Sequence, residues 1–236
     1  MSGDRFGDFT INGGRGISIG GGNVIHNHGV EPDGDDRAPR AGTETAAQLM
    51  ADRARNVFVV YGRDRQARDA VFGLLHALDL RPLEWEKLVH ASAEGSPFLG
   101  KVVADAPSLA QAAVVILTPD DEVRLHPELR NDVEDSFELP RSMQPRPNVL
   151  LELGMALALF PRGTIILEFG RMRPFADMAG RTVIRFDSGS APHIGLKAVA
   201  GRLKNAGCLV DDQGTDWLNG AAFTGMRAYR RGVKSG

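Results

Sequence analysis

The amino-acid sequence predicts a parallel, doubly wound α/β domain with a sheet of about five strands, and two patterns support that class. Short and almost wholly apolar runs at residues 57–61 and 113–118 are typical of strands buried on both faces of a sheet. Segments with apolar residues at helical spacing separate these runs from each other and from further apolar runs downstream. Because strands that alternate with helices form parallel sheets covered on both faces, this order predicts the class.

The predicted elements follow one another from residue 43 to residue 210. Strands are predicted over residues 57–61, 82–85, 113–118, 164–169, 182–186 and 208–210. Helices are predicted over residues 43–55, 65–78, 99–112, 149–160, 174–179 and 193–205, and Thr43 and Asp64 are candidate N-caps of the first two. Residues 86–98 are predicted as a long loop, and residues 123–146 as an exposed, charged excursion with a short helix.

The predicted helix at residues 149–160 is apolar on every face except at Glu152. Asn148 is a candidate N-cap, and Pro147 prevents an earlier start. An ionised carboxylate in an apolar helix is costly unless it is paired, hydrogen-bonded or open to a cleft. Glu152 lies near the N-terminal end of the helix, where the helix dipole favours the ionised form. Glu152 is therefore a candidate functional carboxylate, and an ion pair with a nearby arginine such as Arg146 is the structural alternative.

The composition excludes several classes of protein. With 236 residues, of which 42% are hydrophobic, the chain is expected to form one main domain. Its net charge of -2 predicts no general attraction to nucleic acid or to anionic membranes. No apolar run reaches membrane-spanning length and no signal-peptide pattern is seen, so we expect a soluble, cytoplasmic protein. The single cysteine, Cys208, excludes an intrachain disulfide and a cysteine-based metal cluster, and no metal site is predicted.

The Gly-rich segment at residues 1–29 differs from the rest of the chain. Short β-branched stretches alternate there with Gly and Asn, which predicts very short strands joined by tight turns. Such strands become ordered by stacking with copies from other chains. Ile17, Ser18, Ile19 and Gly20 resemble the Ile/Val-x-Ile/Val-Gly core of the amyloid signalling motifs of necroptosis adaptors and their bacterial relatives. A flexible leader and a hairpin docked on the domain are the alternatives.

The remaining domain boundaries follow from composition. Residues 30–50 are predicted as a charged linker, rich in Pro and Gly, that leads into a short helix. Residues 51–213 are predicted as the α/β domain and residues 214–236 as a C-terminal tail. The tail contains aromatic residues suited to docking on the domain, while its basic end is predicted to be a solvated terminus.

Three polar clusters are predicted to meet at one edge of the sheet. They lie at residues 61–64, 118–121 and 146–152, two of them directly after a predicted strand. Ligands of open α/β sheets bind in the crevice at the carboxyl ends of the strands, where these clusters would converge. The first loop lacks the Gly-x-Gly-x-x-Gly signature, and the chain contains no phosphate-binding P-loop. A redox dinucleotide domain and a P-loop NTPase are therefore not expected.

The three clusters and the strands before them resemble a known family. Residues 57–64, 114–121 and 146–154 are similar, in order and spacing, to the bacterial TIR-like domains once described as predicted nucleotide-binding proteins. Members of that family are effectors of cyclic-nucleotide antiphage systems, fused to STING or to cyclic-nucleotide modules. The resemblance extends over about residues 56–212 and implies a flavodoxin-like fold. It also implies cleavage of the nicotinamide–ribose bond of NAD+, which is then the substrate, and it implies no cofactor.

The resemblance also implies roles for individual residues. Glu152 matches the catalytic glutamate of the family, which stabilises an oxocarbenium-like ribose. The residues expected to bind substrate are Tyr61, Gly62, Arg63, Asp64, Trp85, Thr118, Asp120, Asp121, Arg146 and Asn148. The three aspartates are candidates for the ribose hydroxyls and the two arginines for the pyrophosphate, with loop caps or surface ion pairs as the alternative roles. Tyr61 stands where the family often has His, and Trp85 lies in the place of the family's BB loop, which contacts other subunits.

TIR NADases are generally activated by assembly, so the resemblance implies a homo-oligomer or filament. Residues 1–29 are the candidate assembly segment, and a sensor protein with a matching motif is the candidate partner. The rival interpretation is a non-catalytic TIR-like scaffold or nucleotide-binding module, in which Glu152 only orders its helix. The product, ADP-ribose or a cyclic form, stays open at this point.

Overall fold

The computed structural model describes residues 46–84, 106–129, 141–175 and 180–231. The α-helices are α1 (Ala46–Ala51), α2 (Arg65–Ala77), α3 (Pro147–Leu159) and α4 (Pro192–Asn205), and residues 106–109 are also helical. The strands are β1 (Asn56–Val60), β2 (Arg81–Leu83), β3 (Ala112–Leu117), β4 (Asp121–Val123), β5 (Ser142–Gln144), β6 (Thr164–Phe169) and β7 (Ile184–Phe186). Short 3-10 helices are Arg53–Arg55, Pro127–Leu129, Asp216–Leu218, Gly220–Phe223 and Arg227–Arg230.

Five strands form one parallel sheet in the order β2-β1-β3-β6-β7. This is the strand order of flavodoxin-like folds, in which the chain reverses direction across the sheet next to β1. The predicted doubly wound, flavodoxin-like class is therefore confirmed. The carboxyl ends of β1 and β3 lie side by side, with Val60 opposite Val115, so the loops that follow these strands are neighbours.

The core consists of two apolar layers, one on each face of the sheet. Alternate residues of β1 point to opposite faces, so Val57 and Val59 join one layer while Phe58 and Val60 join the other. The first layer is closed by α2, α4 and the C-terminal tail, and the second by α1, residues 106–110 and α3. Because α3 connects the carboxyl end of β3 to the start of β6, its N-terminus lies at the same edge as the strand carboxyl ends.

Helix α3 differs from its prediction at both ends and on one face. It begins at Pro147, where proline fits the first turn, and Arg146 occupies the N-cap position without a side-chain cap bond. Asn148 lies inside the first turn and is exposed, so the prediction that it caps the helix is wrong. The helix is buried along one stripe only, and Leu151 on the opposite side is 64% exposed.

Three further differences concern short elements. Residues 208–210 do not form a strand, because their backbone makes only isolated hydrogen bonds, such as that from Leu209 N to Ala54 O. The predicted excursion at residues 123–146 includes part of the antiparallel hairpin of β4 and β5, whose strands are too short and polar to show a period-two pattern. The helix predicted to reach residue 112 ends earlier, since β3 begins at Ala112.

The tail after residue 213 packs on the domain through its apolar side chains, as its aromatics suggest. The ring of Phe223 stacks on Phe169 of β6 and packs at a tilt against Phe186 of β7, at centroid separations of 6.2 Å and 5.0 Å. The hydroxyl of Tyr229 donates a 2.7 Å hydrogen bond to the carbonyl of Phe223. The prediction of a solvated basic end is wrong for Arg231, whose guanidinium forms ion pairs with two buried carboxylates.

Several predictions fall outside the described residues. They are the strand-forming segment at residues 1–29, the linker up to residue 45, Thr43, Trp85 with the loop to residue 98, the start of the helix at 99, and most of the helix at 174–179. Within the described part of the chain, no helix has both the length and the apolar character needed to cross a membrane.

Candidate active site

A cavity of about 520 Å³ opens at the edge where the carboxyl ends of β1 and β3 meet the N-terminus of α3. Its described lining residues are Arg63, Asp120, Asp121, Arg146 and Arg231. Four of these five residues are among the predicted substrate-binding residues, and they come from three separate segments of the chain. This is the crevice in which open α/β sheets bind their ligands.

The carboxylate of Asp120 joins the loops after β1 and β3. One of its oxygens accepts a 2.9 Å hydrogen bond from the backbone N–H of Arg63, and the other accepts a 2.9 Å hydrogen bond from the hydroxyl of Thr118. Thr118 itself is buried, so its role in this structure is to orient Asp120. The two loops are therefore held together by one almost completely buried carboxylate.

Gly62 provides the space for this carboxylate. A methyl group added at Gly62 would overlap Oδ2 of Asp120, the atom that accepts the hydrogen bond from Arg63. The backbone at Gly62 has no positive φ, so the requirement for glycine is steric and arises from this close approach. Any larger residue at position 62 must displace the carboxylate that joins the two loops.

Asp64 has two partners, one for each carboxylate oxygen. Oδ1 accepts a 3.0 Å hydrogen bond from Ala67 N, which confirms Asp64 as the N-cap of α2. Oδ2 lies 2.8 Å from a guanidinium nitrogen of Arg231, although the contact lacks hydrogen-bond alignment. The alternative role of a helix cap is therefore the one that the structure shows for Asp64, and the tail supplies a cation beside it.

The hairpin of β4 and β5 brings the third segment to the cavity. Asp121 lies opposite Gln144 in the antiparallel register, and the backbone N–H of Asp120 donates a 3.1 Å hydrogen bond to the Gln144 carbonyl. Arg146 follows two residues later at the N-cap of α3 and lines the cavity. The hairpin thus fixes Arg146 close to the loop after β3.

Tyr61 belongs to a neighbouring cluster. Its hydroxyl donates a 2.7 Å hydrogen bond to Glu84, which also pairs with Arg68 at 2.6 Å. The guanidinium of Arg68 lies over the ring of Phe72, 4.2 Å from its centroid. Burial, followed by the bond to Glu84, raises the pKa of the Tyr61 hydroxyl, which is therefore neutral at physiological pH. Tyr61 is not among the described residues that line the cavity.

Glu152 lies at the border of the buried stripe of α3. Val149, Leu153 and Ala156 form that stripe, and Glu152 lies one turn from Val149 and one turn from Ala156. Its side chain is half-buried, and no hydrogen bond or ion pair joins it to Arg146 or to any other described residue. The predicted structural alternative, an ion pair with Arg146, is therefore absent from the described part of the chain.

Burial raises the pKa of the Glu152 carboxyl above its ordinary value, and no cation among the described residues opposes that shift. Asp64 and Asp120 differ from Glu152 in this respect, because those two carboxylates already have hydrogen-bond donors and a guanidinium beside them. A desolvated carboxylate without a partner is free to stabilise positive charge that develops on a bound molecule.

The structure brings only some of the predicted site residues together. Arg63, Asp120, Asp121 and Arg146 line the cavity, Gly62 and Thr118 position Asp120, and Asp64 pairs with Arg231. Asn148 and Glu152 lie on α3 but do not line the described cavity, and Trp85 lies outside the described residues. A second cavity of about 660 Å³, at the ends of β6 and β7, contains none of the predicted residues.

Arg231 is the site residue that the sequence analysis missed. No local motif surrounds it, and its partners Asp64 and Asp120 both lie far before it in the chain. The signal that points to it is the cluster of basic residues next to the tail aromatics.

Comparison with protein families supports the fold. Residues 56–188 match the family of the CAP12/Pycsar effector protein, TIR domain. The chain belongs to this family. Comparison with curated protein sequences finds no match.

The CAP12/Pycsar TIR match covers β1 through β7 and includes every predicted site residue from Tyr61 to Glu152. It supports the assignment of the domain to the bacterial TIR-type antiphage effectors. The match ends before α4 and the tail, so Arg231 is a feature of this chain outside the matched TIR segment.

Substitution of Gly62 by alanine is expected to destabilise the domain by about 1–3 kcal/mol, because the new methyl group displaces Asp120 from its two donors. The free energy of unfolding in denaturant measures this cost. Gly73→Ala in α2 is the matched control, since a methyl group there meets nothing within 4 Å and alanine favours a helix interior.

A double-mutant cycle isolates the cause of the Gly62→Ala effect. In an Asp120→Ala background the overlapping carboxylate is absent, so Gly62→Ala is expected to cost much less than in the wild type. Equal costs in both backgrounds would show that the close approach to Asp120 is not what requires glycine at position 62.

Proposed function

We propose that this TIR domain is an NAD+ glycohydrolase that cleaves the nicotinamide–ribose bond and acts as an effector of bacterial antiphage immunity. The single observation that carries the proposal is Glu152, a half-buried carboxylate without a partner among the described residues, on the helix whose N-terminus lines the cavity. Membership in the CAP12/Pycsar TIR family supports the same activity.

The proposed reaction suits a lone carboxylate. The bond between the ribose C1′ and the pyridinium nitrogen breaks, and its electron pair leaves with neutral nicotinamide, so no acid is needed for departure. The ribose becomes oxocarbenium-like, and a fixed carboxylate in a water-poor place stabilises that charge. Water then adds to C1′ and loses a proton, which gives ADP-ribose. Attack by the adenine instead of water would give the cyclic product.

Charge at the cavity suits the remainder of the substrate. Arg63 and Arg146 line it, and neither side chain forms a hydrogen bond or ion pair with another described residue. Guanidinium groups bind pyrophosphate oxygens with paired hydrogen bonds. Of the three predicted aspartates, Asp121 is the one not engaged by the loop junction or the helix cap, so we assign it to the ribose hydroxyls.

Assembly is part of the proposal. Glu152 does not line the described cavity although Arg146 of the same helix does, which suits a site that a neighbouring subunit completes. Leu151, next to Glu152, is largely exposed and offers an apolar contact to such a subunit. We propose a homo-oligomer or filament, built through residues 1–29 and templated by a sensor protein with a matching motif.

A non-catalytic nucleotide-binding module is the second candidate. The cavity itself favours it, because arginines and aspartates at the ends of β1 and β3 suffice to bind a nucleotide without chemistry. The two candidates differ at Glu152, which is essential in the enzyme and dispensable in the module.

Substitution of Glu152 by glutamine is expected to lower NAD+ cleavage by about 100-fold or more, because the neutral amide cannot stabilise the ribose cation. Free nicotinamide, separated by chromatography, is the measured product. Glu128→Gln is the control, since Glu128 is exposed and does not line the cavity, and it should retain activity. Equal activity of Glu152→Gln and wild type would favour the non-catalytic module.

The raised pKa of Glu152 predicts the pH dependence of activity and stability. Cleavage should fall on the acid side at a pH above about 4.3, the ordinary value for Glu, because the protonated carboxyl is inactive. The Glu152 carboxyl ionises at a lower pH in the unfolded chain than in the folded protein. As the pH rises from about 4.3 through the folded-state pKa, the wild type therefore loses folding stability relative to Glu152→Gln. Unfolding free energies of both proteins across this range measure that difference, and parallel curves would contradict it.

Deletion of residues 1–29 is expected to prevent assembly and to lower NAD+ cleavage while the domain stays folded. Sedimentation and nicotinamide release measure the two effects, and circular dichroism checks the fold. The matched variant replaces Ile17 and Ile19 by aspartate in the full chain, which disrupts strand stacking without shortening the protein. Unchanged assembly and activity in both proteins would remove this segment from the proposal.

A further inference from the structure

The position of Arg231 is fixed by the packing of the C-terminal tail. Phe223 is buried in the core against Phe169 and Phe186, and Gly170 leaves room for the carbonyl of Ala228. The backbone N–H of Arg227 donates a 3.1 Å hydrogen bond to the side chain of Gln66 in α2. These contacts fix the backbone of the segment just before Arg231. The guanidinium of Arg231 therefore reaches the cavity from a fixed position.

Two buried carboxylates orient the guanidinium of Arg231. One nitrogen, Nη1, lies 2.8 Å from Oδ2 of Asp64 and 3.7 Å from Oδ1 of Asp120. The carboxylate side chains are only 3% and 4% exposed, whereas the side chain of Arg231 is 35% exposed. Loss of the cation would leave Oδ2 of Asp64 buried without compensation, which is costly. This cost keeps the guanidinium of Arg231 in the cavity wall.

The ion pairs of Arg231 use only part of its hydrogen-bonding capacity. A guanidinium carries five N–H donors, and the ion pairs of Arg231 in the described part of the chain involve one nitrogen. Arg231 lines the cavity together with Arg63 and Arg146, whose side chains are unpaired among the described residues. Three guanidinium groups around about 520 Å³ form a site for a multiply charged anion of nucleotide size.

We infer that the C-terminal tail supplies a binding residue to this site, and that Arg231 holds the diphosphate of the dinucleotide together with Arg63 and Arg146. Asp64 and Asp120 keep the guanidinium in place, so the tail is a wall of the site and not a separate appendage. The inference depends on the proposed function only for the identity of the dinucleotide as NAD+.

The test compares the binding of ADP and adenosine to the full chain by calorimetry. Arg231→Gln should weaken ADP binding about tenfold or more, the usual effect of losing one charge-assisted hydrogen bond, and leave adenosine binding unchanged. Arg230→Gln is the matched control, because Arg230 is the exposed neighbour in the same tail, and it should bind ADP like the wild type.

A second variant covers the outcome in which Arg231→Gln unfolds. Arg231→Lys keeps the positive charge beside Asp64 but lacks the planar fork that phosphate prefers, so it should keep its melting temperature and still bind ADP more weakly. Equal ADP affinities of wild type and both Arg231 variants would overturn the inference. Equal losses for ADP and adenosine, or no ADP binding by the wild type, would overturn it too.

The outcome is separable from that of the proposed function. If ADP binding depends on Arg231 but NAD+ is not cleaved, the inference stands and the glycohydrolase proposal fails. If NAD+ is cleaved with full efficiency by Arg231→Gln and ADP affinity is unchanged, the glycohydrolase proposal stands and the tail has no part in binding.

Discussion

The candidate site depends on one close approach, that of the Asp120 carboxylate to the backbone at Gly62. This contact joins the loops after two adjacent parallel strands, because the carboxylate accepts hydrogen bonds from Arg63 N and from Thr118. It also places a buried negative charge where the guanidinium of Arg231 can reach it. The junction of the two loops, and with it the position of Asp120 in the cavity wall, thus depends on the absence of a side chain at position 62.

The acidic residues at this edge have two different electrostatic roles. Asp64 and Asp120 are buried, and hydrogen-bond donors and a guanidinium compensate their charge, so they stabilise the framework of the site. Glu152 is half-buried on an apolar helix, and none of the described residues compensates its charge. A fold that tolerates this cost is typical of a functional carboxylate, whose partner is a bound molecule rather than another side chain.

Much of the architecture could be predicted from the sequence, because strands buried on both faces are apolar throughout, as at residues 112–117. The isolation of Glu152 in an apolar helix was equally visible. The hairpin of β4 and β5 was not, since three-residue polar strands carry no periodicity. The start of α3 at Pro147 could not be predicted either, because proline fits both the first turn of a helix and a position just before the helix. Arg231 could not be placed, since its partners lie far away in the chain and a basic terminus looks the same whether paired or solvated.

The most direct measurement of the central claim is the fate of NAD+ labelled in its nicotinamide ring when it is incubated with concentrated wild-type protein shown by sedimentation to be assembled. The account predicts release of labelled nicotinamide together with one ADP-ribose, linear or cyclic, for each nicotinamide. Intact NAD+ after prolonged incubation with fully assembled protein would contradict it, and would leave a nucleotide-binding TIR module as the description of this chain.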